Sequence, residues 1–244
     1  MPSRPRILDG PTLEWLIGKS NLKMKTYLSL YYLVQFCGHS WIFTNMIARF
    51  FSFGKDAFAD TFYAMGYVMR ICQLLSVLEL LHILTGIEKG SFGPRFLRVT
   101  ERLIILFVVI TSQEEVQGKY VVCILFFLWN LWDVTRYTYD MLSSMEIEFP
   151  VLTWLSHTLW IPAYPLSVLC EAYTIYESLP YFETLGTYSF EMPVPIDCSV
   201  HFPYILKAYL AMMPIGMLFL CSHLYSERKI HISGSNYKAK KKSD

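Results

Sequence analysis

The apolar residues of this 244-residue chain are gathered into blocks of roughly 20 or more, and that grouping constrains the fold more than any motif does. A helix needs about 20 apolar residues to cross a ~30 Å hydrocarbon layer at ~1.5 Å per residue. Hydrophobic residues make up 54% of the chain and charged residues only 17%. A soluble domain of this length is normally less apolar. The expected fold class is therefore all-α, a polytopic membrane helix bundle in contact with a lipid bilayer. Six spans are expected, at 26–50, 61–85, 96–111, 119–141, 151–173 and 203–225. The third is the weakest, because Arg98, Glu101 and Arg102 stand at its start. The loop 177–200 is the longest and has room for a seventh element. No internal repeat or low-complexity linker divides the chain. It reads as one membrane domain, 26–225, between a polar lead, 1–25, and a basic tail, 226–244.

The positions of the charges set the orientation. With six spans both termini lie on one side, and nearly all Lys and Arg near helix ends fall on that side, leaving Lys55 and Lys119 in the opposite loops. Positive charge favours the cytosol, so both termini are expected to be cytosolic. The tail carries Lys241 and Lys242 at the fourth and third positions from its end, which resembles a dilysine retrieval signal of the endoplasmic-reticulum membrane. The plainer reading is a basic tail touching anionic lipid. The first apolar block is longer than a signal-peptide core and reads as a retained helix. Six cysteines contain no C-x-x-C pair, and no helix face offers an H-x-x-x-H metal pair. Neither a metal nor another cofactor is expected, nor a nucleic-acid partner.

An ionisable side chain inside a membrane helix costs a few kcal/mol on insertion scales, so it faces the bundle interior and marks a functional candidate. His39, Arg70, Glu79, His82, Asp133, Arg136 and Asp140 are such groups. Asn130, Asp133, Tyr137 and Asp140 share one face of the fourth span, with Arg136 within pairing reach of Asp133. A structural ion pair and a functional role fit that pair equally well. His39 and His82 read as hydrogen-bonded interior histidines.

The fifth span is the most informative. His157, Tyr164 and Glu171 recur every seven residues, each step a drift of only ~20° around a helix and ~10.5 Å along it. Ser167 lies on the same face, and Pro162 and Pro165 interrupt the backbone ladder beside Tyr164. A carboxylate in a low-dielectric site is a strong base when ionised, and a buried phenol is a neutral donor. Base plus donor is what elimination of water β to a carbonyl requires. The same pair also suits proton transport, lipid head-group binding or a purely structural polar stripe.

The segment Tyr164-Pro165-Leu166-Ser167-Val168-Leu169-Cys170-Glu171 resembles the Y-P-x-G-x-x-G-E stretch of the very-long-chain 3-hydroxyacyl-CoA dehydratases, also called protein-tyrosine-phosphatase-like proteins. Leu78-Glu79-Leu80-Leu81-His82 is similar to that family's L-E-x-L-H, Glu115-Val116-Gln117 to its E-V-Q, and Trp129 through Tyr139 to its W-x-x-x-E-x-x-R-Y. The resemblance covers about 31–227. It implies loss of water from a 3-hydroxyacyl-CoA to give a trans-2-enoyl-CoA, the third step of fatty-acid elongation at the endoplasmic reticulum. Elongase and reductase subunits of that cycle are the implied partners. The family's catalytic pair falls on Tyr164 and Glu171. Ser167 and Cys170 stand where the family usually has glycine, and Asp133 where it has Glu, so a narrower pocket is expected. Ser167, His157, Arg136 and Tyr137 are the further substrate-binding candidates.

Coenzyme A is polyanionic and cytosolic, so its nucleotide is expected near Lys89, Arg95, Arg98, Arg102 and Arg136. Tyr164 then lies roughly 20 Å below the cytosolic end of its helix. Two other readings compete with the enzyme. One is a catalytically weak or inactive membrane adaptor of the elongation machinery. The other is a small-molecule transporter, disfavoured because neither half of the chain repeats the other. A phosphatase is excluded by the lack of an H-C-x-x-G-x-x-R loop to hold phosphate.

Overall fold

A 44-residue helix, α1 (Gly10–Phe53), opens the fold. The computed structural model describes residues 10–88, 90–147, 149–191 and 199–243, so the expectation placed on Lys89 and the first nine residues of the polar lead fall outside it. Pro11 sits in the first turn of α1, where its missing N–H has no helical partner to lose. Gly54 ends the helix with φ +58°, its N–H bonding back to the Phe50 carbonyl at 2.9 Å, a left-handed cap that glycine adopts without strain. The first expected span lies wholly inside α1, and much of the polar lead is helical too.

A short α2 (Asp56–Ala59) leads into α3 (Thr61–Leu75) and α4 (Val77–Leu84). The second expected span is thus broken at Ser76. The Ser76 hydroxyl bonds the Cys72 carbonyl at 3.1 Å and accepts from Gln35 Nε2 at 3.2 Å, so a side chain competes with the helical ladder there. The third span is α5 (Phe92–Leu103) running into a π-helical turn (Ile104–Ile110), closed by Thr111 N–H to the Leu106 carbonyl. Then come α6 (Glu114–Gln117) and α7 (Tyr120–Ser144), which contains the fourth span.

The fifth span is corrected most. It divides into α8 (Pro150–Ser156) and α9 (Trp160–Leu185), separated by a turn at His157. Helix α9 continues through Pro165 and Pro180 to a left-handed Gly186 cap, so the expected loop begins nine residues later than 177. That loop holds no further helix among its described residues, only the pair β1 (Phe190–Glu191) and β2 (Ser199–Val200) in antiparallel register. Helix α10 (Phe202–Ser243) contains the sixth span.

Helix α7 is the axis of the bundle, flanked by α1 and α9. Helix α3 packs on α1, and α10 covers α9 and α5. Ile42, Met69, Ile105, Leu106, Leu125, Phe126, Trp129 and Ile175 fill the centre. The polarity is unusual. Gln35, His39, Glu79, Asn130, Asp133 and Glu171 are inside, while Phe51, Tyr67, Leu169 and Leu218 face outward. Two helical stretches, Thr61–Leu84 and Phe202–Ile230, are long and apolar enough to cross a membrane by length and composition.

Candidate active site

Tyr164 and Glu171 both lie on the inner face of α9 and are 2% exposed. Each meets a different neighbour. The Tyr164 hydroxyl donates to Glu101 Oε2 on α5 at 3.2 Å, and its ring packs edge-on against Trp132 at 5.8 Å. Trp129 Nε1 on α7 donates to Glu171 Oε1 at 2.9 Å. The other carboxylate oxygen, Glu171 Oε2, is buried without a hydrogen-bond partner. A buried acceptor left open is costly unless something fills it.

Ser167 is on the same face, but its hydroxyl bonds the Tyr164 carbonyl at 2.8 Å and is spent on its own helix. His157 is not. It belongs to the α8–α9 turn, with Nδ1 2.8 Å from the Thr153 carbonyl and its ring edge-on to Tyr139. The seven-residue stripe therefore has two members, because its spacing assumed a helix unbroken through 157–159.

His157 instead lines a cavity of about 250 Å³ together with Arg95, Arg98, Trp132, Arg136 and Trp160. Three of the expected anion-binding arginines are already engaged. Arg136 grips Glu79 through two nitrogens at 2.8 and 3.0 Å, Arg95 bonds both Glu79 and Glu88, and Arg102 bonds Asp133. Tyr137 also donates to Glu79 rather than facing a ligand. Asp133 and Arg136 are only 4.0 Å apart at closest approach, and both find better partners on other helices. Arg98 differs. It is 9% exposed, stacks 5.0 Å from the Trp132 ring, and forms no ion pair among the described residues. His39 and His82 are hydrogen-bonded interior histidines as expected, to Asn130 at 2.7 Å and Tyr27 at 2.9 Å.

The family model described as "Protein tyrosine phosphatase-like protein, PTPLA" matches residues 73–234. The chain belongs to the PTPLA family. Curated relatives agree. The Homo sapiens protein named very-long-chain (3R)-3-hydroxyacyl-CoA dehydratase 4 is 65% identical over 215 residues, covering 88% of this chain and 91% of that one. The Mus musculus protein of the same name is 62% identical over 222 residues, covering 90% and 94%. A Xenopus laevis very-long-chain (3R)-3-hydroxyacyl-CoA dehydratase is 70% identical over 206 residues, covering 84% and 94%. No solved structure matches the chain.

The PTPLA match spans every helix that supplies the site: α5, α7, α9 and the apolar part of α10. Sequence reading within it missed three residues. Trp129 entered only as part of a motif and Glu101 only as a charge at the start of the third span, while Tyr209 on α10 was not singled out. Tyr209 carries a buried hydroxyl with no hydrogen-bond partner. Only Glu101 left a signal, an acid at the head of an apolar block.

Proposed function

We propose that this protein dehydrates very-long-chain (3R)-3-hydroxyacyl-CoA to trans-2-enoyl-CoA, with Glu171 as base and Tyr164 as proton donor. The observation that carries the reading is the open Glu171 Oε2, buried on the same helix face as the Tyr164 phenol. Elimination breaks the Cα–H bond, places its electron pair in the new double bond, and expels the β-hydroxyl. Glu171 accepts the α-proton. Tyr164 protonates the hydroxyl, which leaves as water. Along α9 their backbone positions are offset by ~10.5 Å, so the two side chains must converge on the adjacent α- and β-carbons of the substrate. Conversion of a 3-hydroxyacyl-CoA by the purified protein tests the function. No conversion favours the adaptor, a reading that Ser167 and Cys170 in place of the family's glycines keep open.

The protein acts in the endoplasmic-reticulum membrane, alongside elongase and reductase subunits, as a six-span bundle with cytosolic termini. Apolar side chains outside and paired charges inside support a lipid surround. Coenzyme A docks at the cavity beside Arg98, whose guanidinium forms no ion pair among the described residues. Trp160 lines that cavity and precedes Tyr164 by four residues, ~6 Å of helix. The phenol is therefore much closer to the anion seat than the ~20 Å that one continuous helix implied. Arg98→Met is expected to raise KM for the CoA substrate about tenfold, the loss of one charge-assisted contact. Added salt moves the unaltered protein the same way by screening. An unchanged KM in steady-state assays of both would place the nucleotide elsewhere.

A further inference from the structure

Glu101 is 5% exposed and sits between two arginines of α5, yet it pairs with neither. Arg102 is taken by Asp133, and Arg98 faces Trp132 and the cavity. Among the described residues Glu101 has no ion pair, and its hydrogen bond comes from the Tyr164 hydroxyl. Burying a carboxyl group is costly, so one held by a single phenol is not there to stabilise the bundle. The opposing helix is bare at the same point. A Cβ on Gly216 of α10 would lie 3.2 Å from Glu101 Oε1, so glycine leaves the carboxyl its room. Seven residues before Gly216, and so on nearly the same face of α10, Tyr209 carries a buried hydroxyl with no hydrogen-bond partner among the described residues.

The geometry also poses a proton problem. A phenol has one hydrogen, and Tyr164 gives it to Glu101. To protonate a departing hydroxyl, Tyr164 must either break that bond or receive a second proton through it. We propose that Glu101 is a positioning residue for Tyr164, a carboxyl group that holds the phenol in place and resupplies its proton during turnover. The inference rests on the dehydratase reading.

Atoms balance as follows. Glu171 takes the α-proton as the double bond forms. The Cβ–O bond breaks, and the hydroxyl leaves as water with the Tyr164 proton. The proton of a neutral Glu101 passes to the Tyr164 oxygen. Glu171 now holds one proton and Glu101 none, and its return from one to the other restores the resting state. The titratable or charged groups that surround Glu101 are Tyr164 and Glu171 on α9, Arg98 and Arg102 on its own helix, and Tyr209 on α10. Asp133 on α7 acts through Arg102, and Cys221 on α10 acts through Tyr164.

The test is the pH dependence of kcat for the purified full-length protein and for Glu101→Gln. The amide keeps size and a hydrogen bond but cannot resupply a proton. Glu101→Gln is expected to lower kcat by about 10- to 100-fold with KM nearly unchanged, and to abolish the alkaline limb of the wild-type kcat profile. Glu101→Asp restores that limb in part. Gly216→Ala, which keeps the carboxyl group but crowds Oε1, lowers kcat by a few-fold at constant KM. Should Glu101→Gln fail to fold, Gly216→Ala decides the matter, and wild-type kcat in it overturns the proposal. So does a wild-type profile in Glu101→Gln, the absence of any alkaline limb in the native protein, or a kcat loss that merely follows lost thermal stability. If Tyr164→Phe keeps full turnover, the dehydratase site itself is misassigned. If Tyr164→Phe is dead while Glu101→Gln is normal, only the role of Glu101 falls.

Discussion

Tyr164→Phe and Glu171→Gln are each expected to lower kcat for 3-hydroxyacyl-CoA dehydration by about 10²- to 10⁴-fold, with abundance and thermal stability close to native. Both changes preserve shape. The Phe ring still packs against Trp132, and a Gln amide oxygen still accepts from Trp129. Under the proposed mechanism the first removes the proton donor and the second the proton acceptor, so the loss falls on kcat rather than on KM. Steady-state rates and a melting curve of the same preparation check both halves. Full turnover by either variant would remove that residue from the mechanism.

Glu79→Gln is expected to damage the fold instead. Glu79 is fully buried and accepts from Arg95, Arg136 and Tyr137, with Tyr31 at 3.4 Å, so one carboxylate joins α1, α4, α5 and α7. Replacing it removes the shared counter-charge of two largely buried guanidinium groups, leaving Arg95 with Glu88 and Arg136 with the more distant Asp140 and Asp133. Removing one partner of such a network typically costs about 3–5 kcal/mol, a large share of the stability of any domain. Thermal unfolding in detergent should show a marked drop. Glu146→Gln, which breaks an exposed pair with Lys25, should show none, because both partners can return to water. Equal melting of the two variants would mean that the Glu79 network does not hold the bundle together.

The outlines of the helices were legible because hydrophobic length is a local property. Helix α7, the core of α1 and the apolar part of α10 lie where the apolar blocks put them. The interruptions were not legible. At Ser76 the helix gives way to a hydroxyl bonded across to Gln35, a residue 41 positions away. The turn at His157 separates α8 from α9 although the block there reads as continuous. Pro180, placed in a loop by its sequence, lies inside α9 without ending it. Basic residues were read as a group of similar charges near one surface. Whether such a cation is paired, as Arg136 is with Glu79, or left without an ion pair among the described residues, as Arg98 is, depends on which carboxylate lies across each helix contact.

The sequence by itself determined that Tyr164 and Glu171 share a face, because seven residues nearly close two helical turns, and it carried the motifs of the PTPLA family. It also placed acids and histidines within apolar blocks, where burial makes them candidates. Tertiary structure alone decided their partners. Glu101 meets Tyr164 because α5 and α9 come together 63 residues apart in the chain, and Gly216 of α10 leaves the carboxyl room. Helix periodicity specifies the direction of a side chain around its own axis. What that side chain touches depends on which helix packs opposite, and packing is a property of the assembled bundle.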